Sequence, residues 1–277
     1  MKHKFVLAVL LLCFFSCRQQ NKSQRHPIYQ SIRSDSALYF YELGWKQIMD
    51  EGNYGAAEES YRKVLEQDPN FLIGKNVLGR LTLNTQERIK IESDNEDLKT
   101  GIKGDERLVL DVYAALVAYT NARELKSADL SSIRKKAFEI AEQNLRKIVH
   151  KYPDEIYMKA EYIEFLNAIH GAQTALDSLD ILTSEVQKNN PFLLGYAAIL
   201  QAETGNFKQA LEKADVLTSL IEDERAPKPY AILAAIYLKM DSLPLAKYNA
   251  DKAYDLDPRN LDASRLKTTI DRLINSR

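Results

Sequence analysis

One spacing recurs through most of this chain and limits what it can fold into. Segments that open with apolar and small residues at helical spacing begin near residues 38, 72, 106, 156, 191, 227 and 261, so that successive starts lie 34, 34, 50, 35, 36 and 34 residues apart. A recurring period of this length is typical of repeat proteins, in which each unit buries its apolar face against its neighbours. The sequence therefore predicts a stacked array over residues 37–277, without a single central core.

The clearest unit is residues 227–258. Apolar and small residues recur at helical spacing in each half of this unit, and Asp241-Ser242 interrupts the pattern between the halves. Ser242 can cap the second helix and Pro244 fits its first turn. Pro258 ends the helix, because a proline disfavours the helical conformation of the residue before it. The unit thus predicts two short helices joined by a tight turn.

The other units follow the same plan with local departures. In residues 37–69 the pair Leu43-Gly44 falls at the same offset as in the other units only if one extra residue precedes Pro69. Trp45 is interpreted as a packing residue between helices. Further helices are predicted over residues 85–98, 106–125, 131–151 and 261–274, and the third unit is enlarged. We expect an all-α solenoid of about six helical hairpins with a charged helix covering its C-terminal end.

These offsets resemble the tetratricopeptide repeat (TPR), whose pattern is W-x2-L-G-x2-Y, then A, F and P in a unit of roughly 34 residues. The residues in the signature positions of the last unit are Tyr230, Leu233, Ala234, Tyr237, Ala246, Ala250 and Pro258. The resemblance covers about residues 37–275. It implies an α-solenoid that binds a protein or peptide rather than catalysing a reaction.

The resemblance also implies where a partner would bind, since the first helix of each TPR hairpin lines a concave groove. The predicted groove residues are Tyr39, Glu42, Lys46, Asn76, Arg80, Tyr157, Glu164, Asn167, Glu203 and Lys239. Asp50, Phe192 and Lys228 occupy equivalent repeat positions. These side chains mix aromatic groups with both signs of charge, as expected for a site that recognises an extended segment or a helix.

The first residues predict export and anchoring. Residues 1–16 combine a basic start with a short apolar run, which is typical of a secretory signal peptide. Ser16-Cys17 resembles the cleavage site of a bacterial lipoprotein, which implies an N-terminal lipid on Cys17. Residues 17–36 are predicted to hold the lipidated cysteine and a flexible tether. This arrangement implies an outer-membrane lipoprotein of the cell envelope that faces the periplasm.

Composition and motifs argue against several other classes. The full chain has a formal net charge of −1, which gives no basic surface for nucleic acid. Its only cysteines are Cys13 and Cys17, so a chain cleaved before Cys17 would have no disulfide. The sequence contains no G-x-S-x-G, H-E-x-x-H, G-x-x-x-x-G-K-[ST] or G-x-G-x-x-G motif. We therefore expect no enzyme, no metal site, no cofactor beyond the lipid and no small-molecule substrate.

The leading hypothesis is a membrane-anchored TPR scaffold that binds a protein partner of the envelope through its groove, with a role in assembling envelope complexes. The alternative is a glycan- or nutrient-binding lipoprotein of the SusD-like type. Proteins of that type contain TPR units but are about twice this size, and they stack sugars on several tryptophans. Trp45 is the only tryptophan in this chain, which favours the scaffold.

Overall fold

The computed structural model of this chain describes residues 26–276, which form thirteen α-helices and no β-strand. The helices are α1 (Asp35–Trp45), α2 (Tyr54–Gln67), α3 (Leu72–Leu81), α4 (Thr85–Leu98), α5 (Gly104–Glu124), α6 (Leu130–Lys151), α7 (Ile156–His170), α8 (Ala172–Leu182), α9 (Pro191–Glu203), α10 (Phe207–Leu220), α11 (Lys228–Lys239), α12 (Leu243–Leu256) and α13 (Leu261–Asn275). A π-helical turn, Lys46–Glu51, extends α1. The predicted signal peptide, Cys17 and the first part of the predicted tether lie outside the described residues.

The helices pack as neighbours in sequence. Six hairpins follow one another, α1/α2, α3/α4, α5/α6, α7/α8, α9/α10 and α11/α12, and α13 packs on the last of them. The first helices of hairpins also meet, since α3 contacts α5 and α9 contacts α11. The expectation of an all-helical, solenoid-like array is therefore confirmed, as are the helices predicted over residues 85–98 and 261–274.

Small residues let the two helices of a hairpin approach closely. In the first hairpin, a Cβ atom on Gly44 would lie only 2.7 Å from the ring of Tyr61 on α2. In the last hairpin, Ala234 of α11 and Ala246 and Ala250 of α12 are fully buried in one cluster. The alanines and the glycine are therefore required by the distance between the helix backbones, because a larger side chain would force the helices apart.

The π-helical turn Lys46–Glu51 lies at the end of the first helix of the first hairpin. Its hydrogen bonds close over one more residue than those of an α-helix, so the turn has room for the one extra residue that the register of Leu43-Gly44 needs. Gly52 ends the turn with a left-handed φ of 72°. A Cβ atom on Gly52 would lie 3.1 Å from the backbone nitrogen of Lys228, so conformation and space both favour glycine there.

Residues 26–36 correct the predicted tether. Their apolar side chains are buried, namely Ile28, Tyr29 and Ile32. The hydroxyl group of Ser31 donates to the Glu106 carboxylate at 2.6 Å, and the backbone N–H of Arg33 donates to Asp68 at 2.6 Å. The expectation was wrong for this part because three apolar residues in a polar stretch form no periodic pattern. They nevertheless pack on the array, with the ring of Tyr29 edge-on to Tyr41 of α1 and residues 27–29 against α5.

The C-terminal corner of the array closes onto its N-terminal hairpin. The backbone N–H groups of Tyr54 and Gly55, at the start of α2, donate to the carboxylate of Asp257 at 2.6 and 3.1 Å. The guanidinium of Arg259 contacts the carboxylate of Glu58 and donates to the carbonyl oxygen of Leu81 at 2.9 Å. These contacts join the two ends of the described chain.

A second group of contacts completes this closure. The side-chain amide of Asn260 donates to the carbonyl oxygen of Gly52 at 2.7 Å, and the side-chain oxygen of Asn260 caps α13 by accepting from the N–H groups of Asp262 and Ala263. The first turn of α13 is thus fixed to the π-helical turn. The array is consequently closed through side chains about 200 residues apart in sequence.

Within residues 26–276, none of the helices combines the length and the apolar character that crossing a membrane requires.

The closure predicts a large stability effect from one side chain. Changing Asp257 to Ala removes the acceptor of two N–H groups at the start of α2, and a buried donor left without a partner costs about 1–3 kcal/mol. We expect Asp257→Ala to lower the free energy of unfolding in urea by at least about 1 kcal/mol. Asp255→Ala, at an exposed position of the same helix, is the matched control. Equal stability of the two variants would contradict this role of Asp257.

Candidate functional site

Four of the predicted groove residues line one open cleft between α1 and α7, which we term the α1–α7 cleft. Its volume is about 490 Å³, and the four residues are Tyr39, Glu42, Lys46 and Tyr157. Tyr39 is 61% exposed and packs edge-on against Phe40, with 5.3 Å between the ring centroids. The cleft therefore presents one accessible aromatic side chain beside charged groups, on helices that are far apart in sequence.

The floor of the α1–α7 cleft is aromatic and rigidly held. Trp45 is only 2% exposed, and its ring stacks on Tyr157 with 5.9 Å between centroids and an interplanar angle of 15°. This confirms Trp45 as a packing residue. The hydroxyl of Tyr157 donates to Asp50 at 2.9 Å, and the side-chain amide of Asn190 donates to the other oxygen of Asp50 at 3.1 Å. These bonds connect α7, the start of α9 and the π-helical turn.

The rim of the α1–α7 cleft is predominantly acidic. Glu42, Asp154 and Glu155 lie along it, whereas the ammonium of Lys46 contacts Glu51. Burial raises the pKa of Glu155, and this rise is opposed by the imidazole of His26, which lies 3.3 Å away. The uncompensated charge along this edge is negative, so the cleft favours a cationic ligand group over an anionic one.

Two predicted groove residues are held by contacts within the array. Asn76 is fully buried, and its side chain exchanges hydrogen bonds of 2.7 and 2.8 Å with Asn95 of α4. Arg80 forms an ion pair with Glu161 of α7 at 2.7 Å and lies 5.3 Å from the centroid of the Tyr113 ring. The groove interpretation was wrong for Asn76, because this side chain is buried. The Arg80 side chain is 28% exposed, but its guanidinium is already paired within the array.

Three other predicted residues form a polar row across α7, α9 and α11. The side-chain amide of Asn167 donates to the carboxylate of Glu203 at 3.1 Å and to the hydroxyl of Tyr196 at 3.0 Å. The ammonium of Lys239 lies 3.2 Å from Glu203. The structure thus brings Asn167, Glu203 and Lys239 together, but as partners of one another, at some distance in sequence from the residues of the α1–α7 cleft.

Glu164, the tenth predicted residue, lines a separate cavity of about 260 Å³ at the junction of the two chain ends, which we term the closure cavity. Desolvation raises the pKa of Glu164 to about 8, and the nearby carboxylates of Glu161 and Asp262 act in the same direction. Lys228 and Arg80 oppose this rise without cancelling it. The carboxyl group of Glu164 consequently holds its proton more tightly than an exposed glutamate does.

Several residues of these sites have no recognisable signal in the sequence. Asp154 and Glu155 lie in the turn before α7, outside the repeat positions from which a groove is inferred. Asn260, Asp262 and Arg265 reach the closure cavity only because the ends of the chain meet. A local motif cannot reveal such residues, since their neighbours are set by the superhelical path of the whole array.

No protein-family model matches this sequence, and no curated protein shows significant similarity to it. Among the described residues 26–276, no group of three or more His, Cys, Asp or Glu side chains is arranged to hold a metal ion. The chemistry that the described surfaces offer is therefore that of aromatic rings, carboxylates and ammonium groups.

The raised pKa of Glu164 predicts a pH dependence of stability. The folded state binds this proton more tightly than the unfolded chain, whose glutamate has a pKa of 4.5. The stabilisation is thus fully present below pH 4.5 and is lost as the pH rises through about 8. Relative to Glu164→Gln, the wild-type protein should lose up to about 1.4 kcal/mol of unfolding free energy per pH unit across this interval.

Urea unfolding at several pH values measures this difference. Glu222→Gln, at an exposed position between α10 and α11, should follow the wild-type curve. A constant difference between wild type and Glu164→Gln at every pH would show that Glu164 titrates normally in the folded state.

Proposed function

We propose that this chain is a lipid-anchored scaffold of the TPR type that binds a protein partner of the cell envelope through the α1–α7 cleft. The observation that carries the proposal is the convergence of Tyr39, Glu42, Lys46 and Tyr157 on one open cleft. An exposed aromatic ring beside a firmly packed floor is typical of the anchor points of protein interfaces. The six hairpins and α13 are then TPR-like units with a terminal cap.

The charge of the cleft indicates the kind of partner segment. Glu42, Asp154 and Glu155 leave the rim acidic, and Lys46 is engaged by Glu51. A segment that carries lysine or arginine beside an apolar side chain would complement both the rim and Tyr39. Such a partner would be recruited at the periplasmic face of the outer membrane, with a role in assembling an envelope complex. The proposal assigns no catalytic step and no cofactor to the chain.

The glycan-binding alternative is less well supported. Aromatic rings and carboxylates also line sugar sites, but the indole of Trp45 is covered by Tyr157 and is almost completely buried. Tyr39 is therefore the one ring of the cleft that offers a broad free face within the described chain. Saturable binding of an oligosaccharide that is lost with Tyr39→Ala would favour this alternative over the scaffold.

The anchoring part of the proposal is tested at the two cysteines. The lipid of a lipoprotein provides more than one acyl chain, which is enough for stable membrane attachment. We expect Cys17→Ser to abolish labelling by a fatty-acid analogue and to move the protein into the soluble fraction. Cys13→Ser, within the predicted signal peptide, should change neither property. Membrane attachment and labelling that survive Cys17→Ser would disprove anchoring at this residue.

The partner-binding part is tested by photo-crosslinking in intact cells. A photoreactive phenylalanine analogue is placed at position 39, in the cleft, or at position 248, where the native Tyr248 is 66% exposed on α12. We expect one envelope protein to crosslink from position 39 and not from position 248. Adding Glu42→Lys should reduce the yield about tenfold, because it places a like charge opposite a basic segment.

Glu59→Lys, at an exposed position of α2, is the matched charge reversal and should leave the crosslink unchanged. A crosslink of equal yield from both positions, or one that is insensitive to Glu42→Lys, would exclude the α1–α7 cleft as the binding surface.

A further inference from the structure

The closure cavity is distinct from the α1–α7 cleft and contains an unusual cation. Lys228 is the first residue of α11 and is only 8% exposed. Its ammonium lies 4.1 Å from the centroid of the Phe192 ring. Within residues 26–276, no carboxylate is at ion-pairing distance from this ammonium, and it donates no hydrogen bond to another residue. The cavity is thus lined by a buried positive charge without a direct counterion.

This arrangement is energetically unfavourable in the absence of a ligand. Burial lowers the pKa of Lys228, an effect that the more distant carboxylates Asp262, Glu164 and Asp50 oppose. Lys228 also lies at the N-terminus of α11, where the helix dipole is positive and disfavours a cation. The same dipole and the same ammonium would both stabilise an anion placed between them. The polar end of the cavity is therefore suited to a carboxylate.

The cavity also offers a site for a positive group. Glu164 lines it without an ion pair in the described chain, and the Tyr196 hydroxyl lies on the same wall. The rest of the lining is mixed: Ile199, Ile232 and Leu266 form an apolar part, and polar side chains enter from Asn260 and from the first turns of α13, namely Asp262, Arg265 and Thr269. The volume of about 260 Å³ lies just below the range of about 300–1,000 Å³ for pockets that hold drug-sized molecules. A ligand would accordingly be small, with separate polar and apolar ends.

We propose that the closure cavity binds a small zwitterion, a free amino acid with an apolar side chain. Its carboxylate would lie against Lys228 and the start of α11, its ammonium against Glu164, and its side chain against Ile199, Ile232 and Leu266. This inference is independent of the proposed partner-binding function. It departs from the sequence-based expectation that no small molecule binds.

Calorimetry with four related probes tests the contribution of each charged group of the ligand to binding. L-Leucine carries both charges, 4-methylpentanoate lacks the ammonium, 3-methylbutylamine lacks the carboxylate, and N-acetyl-leucine resembles a peptide C-terminus. We expect saturable binding of leucine to the purified protein and at least about tenfold weaker binding of the other three, since a charge-assisted contact is lost in each. Leucine binding should also be linked to proton release from Glu164, because the ligand's ammonium favours the ionised carboxylate.

Two variants separate binding from folding. Lys228→Met removes the unpaired buried charge while retaining an apolar chain, so it should raise the thermal midpoint and yet weaken leucine binding at least about tenfold. Glu164→Gln should abolish the proton release, which is measured from the binding heats in buffers of different ionisation enthalpy. Lys239→Met, at the exposed end of the same helix, is the control and should bind leucine normally.

Three results would overturn the proposal. Equal affinity for leucine and 4-methylpentanoate, without proton release, would show that the cavity recognises the carboxylate and not the ammonium. Equal affinity for N-acetyl-leucine would indicate a peptide end instead of a free amino acid. The absence of saturable binding by leucine, methionine and phenylalanine would exclude an apolar amino acid as the ligand.

Discussion

The contact between the α12–α13 corner and the start of α2 is the interaction on which the form of this protein depends. A helical-repeat array is ordinarily stabilised by contacts between adjacent units, so its ends are independent of each other. Here Asp257 accepts hydrogen bonds from the first N–H groups of α2, where the helix dipole favours a negative charge. The closure therefore joins the first and last hairpins through groups that would otherwise be exposed at helix ends.

Closure of the array changes which side chains of its inner face are accessible to a ligand. In an open solenoid the first helix of each hairpin faces a groove, whereas here several of those side chains face one another. Arg80 pairs with Glu161, and Asp50 binds both Tyr157 and Asn190. Most of the inner polar groups are consequently satisfied inside the protein. The α1–α7 cleft and the closure cavity are two of the spaces that remain.

The helices of this fold could be predicted because their signals are local. The repeat spacing, small residues at fixed offsets and the prolines near both ends of α12 located α4, α12 and α13 correctly, although the side chain of Ser242 makes no capping hydrogen bond. Gly171 turns the chain between α7 and α8 with a φ of 90°. Each of these features depends on neighbours only a few positions away, which a repeat pattern displays directly.

The exposure of individual side chains could not be predicted in the same way. Asn76 occupies a position that faces a groove in the repeat pattern, yet the partner that buries it is Asn95, another polar residue whose role the pattern does not indicate. Ile28, Tyr29 and Ile32 stand in a polar stretch, and the surface that this segment covers is provided by α5 and by Tyr41 of α1. Such assignments depend on the path of the whole chain.

The π-helical turn Lys46–Glu51 adjoins both the α1–α7 cleft and the closure cavity. Trp45 and Lys46 line the α1–α7 cleft, whereas Ile48 and Gly52, a few residues later, line the closure cavity. Asp50, between them, is fixed to α7 by Tyr157 and to the start of α9 by Asn190. Because one short turn forms part of both walls, a rearrangement of that turn would change both sites together. Any such linkage would be reciprocal, since two ligands that bias one shared element affect each other's binding by the same factor.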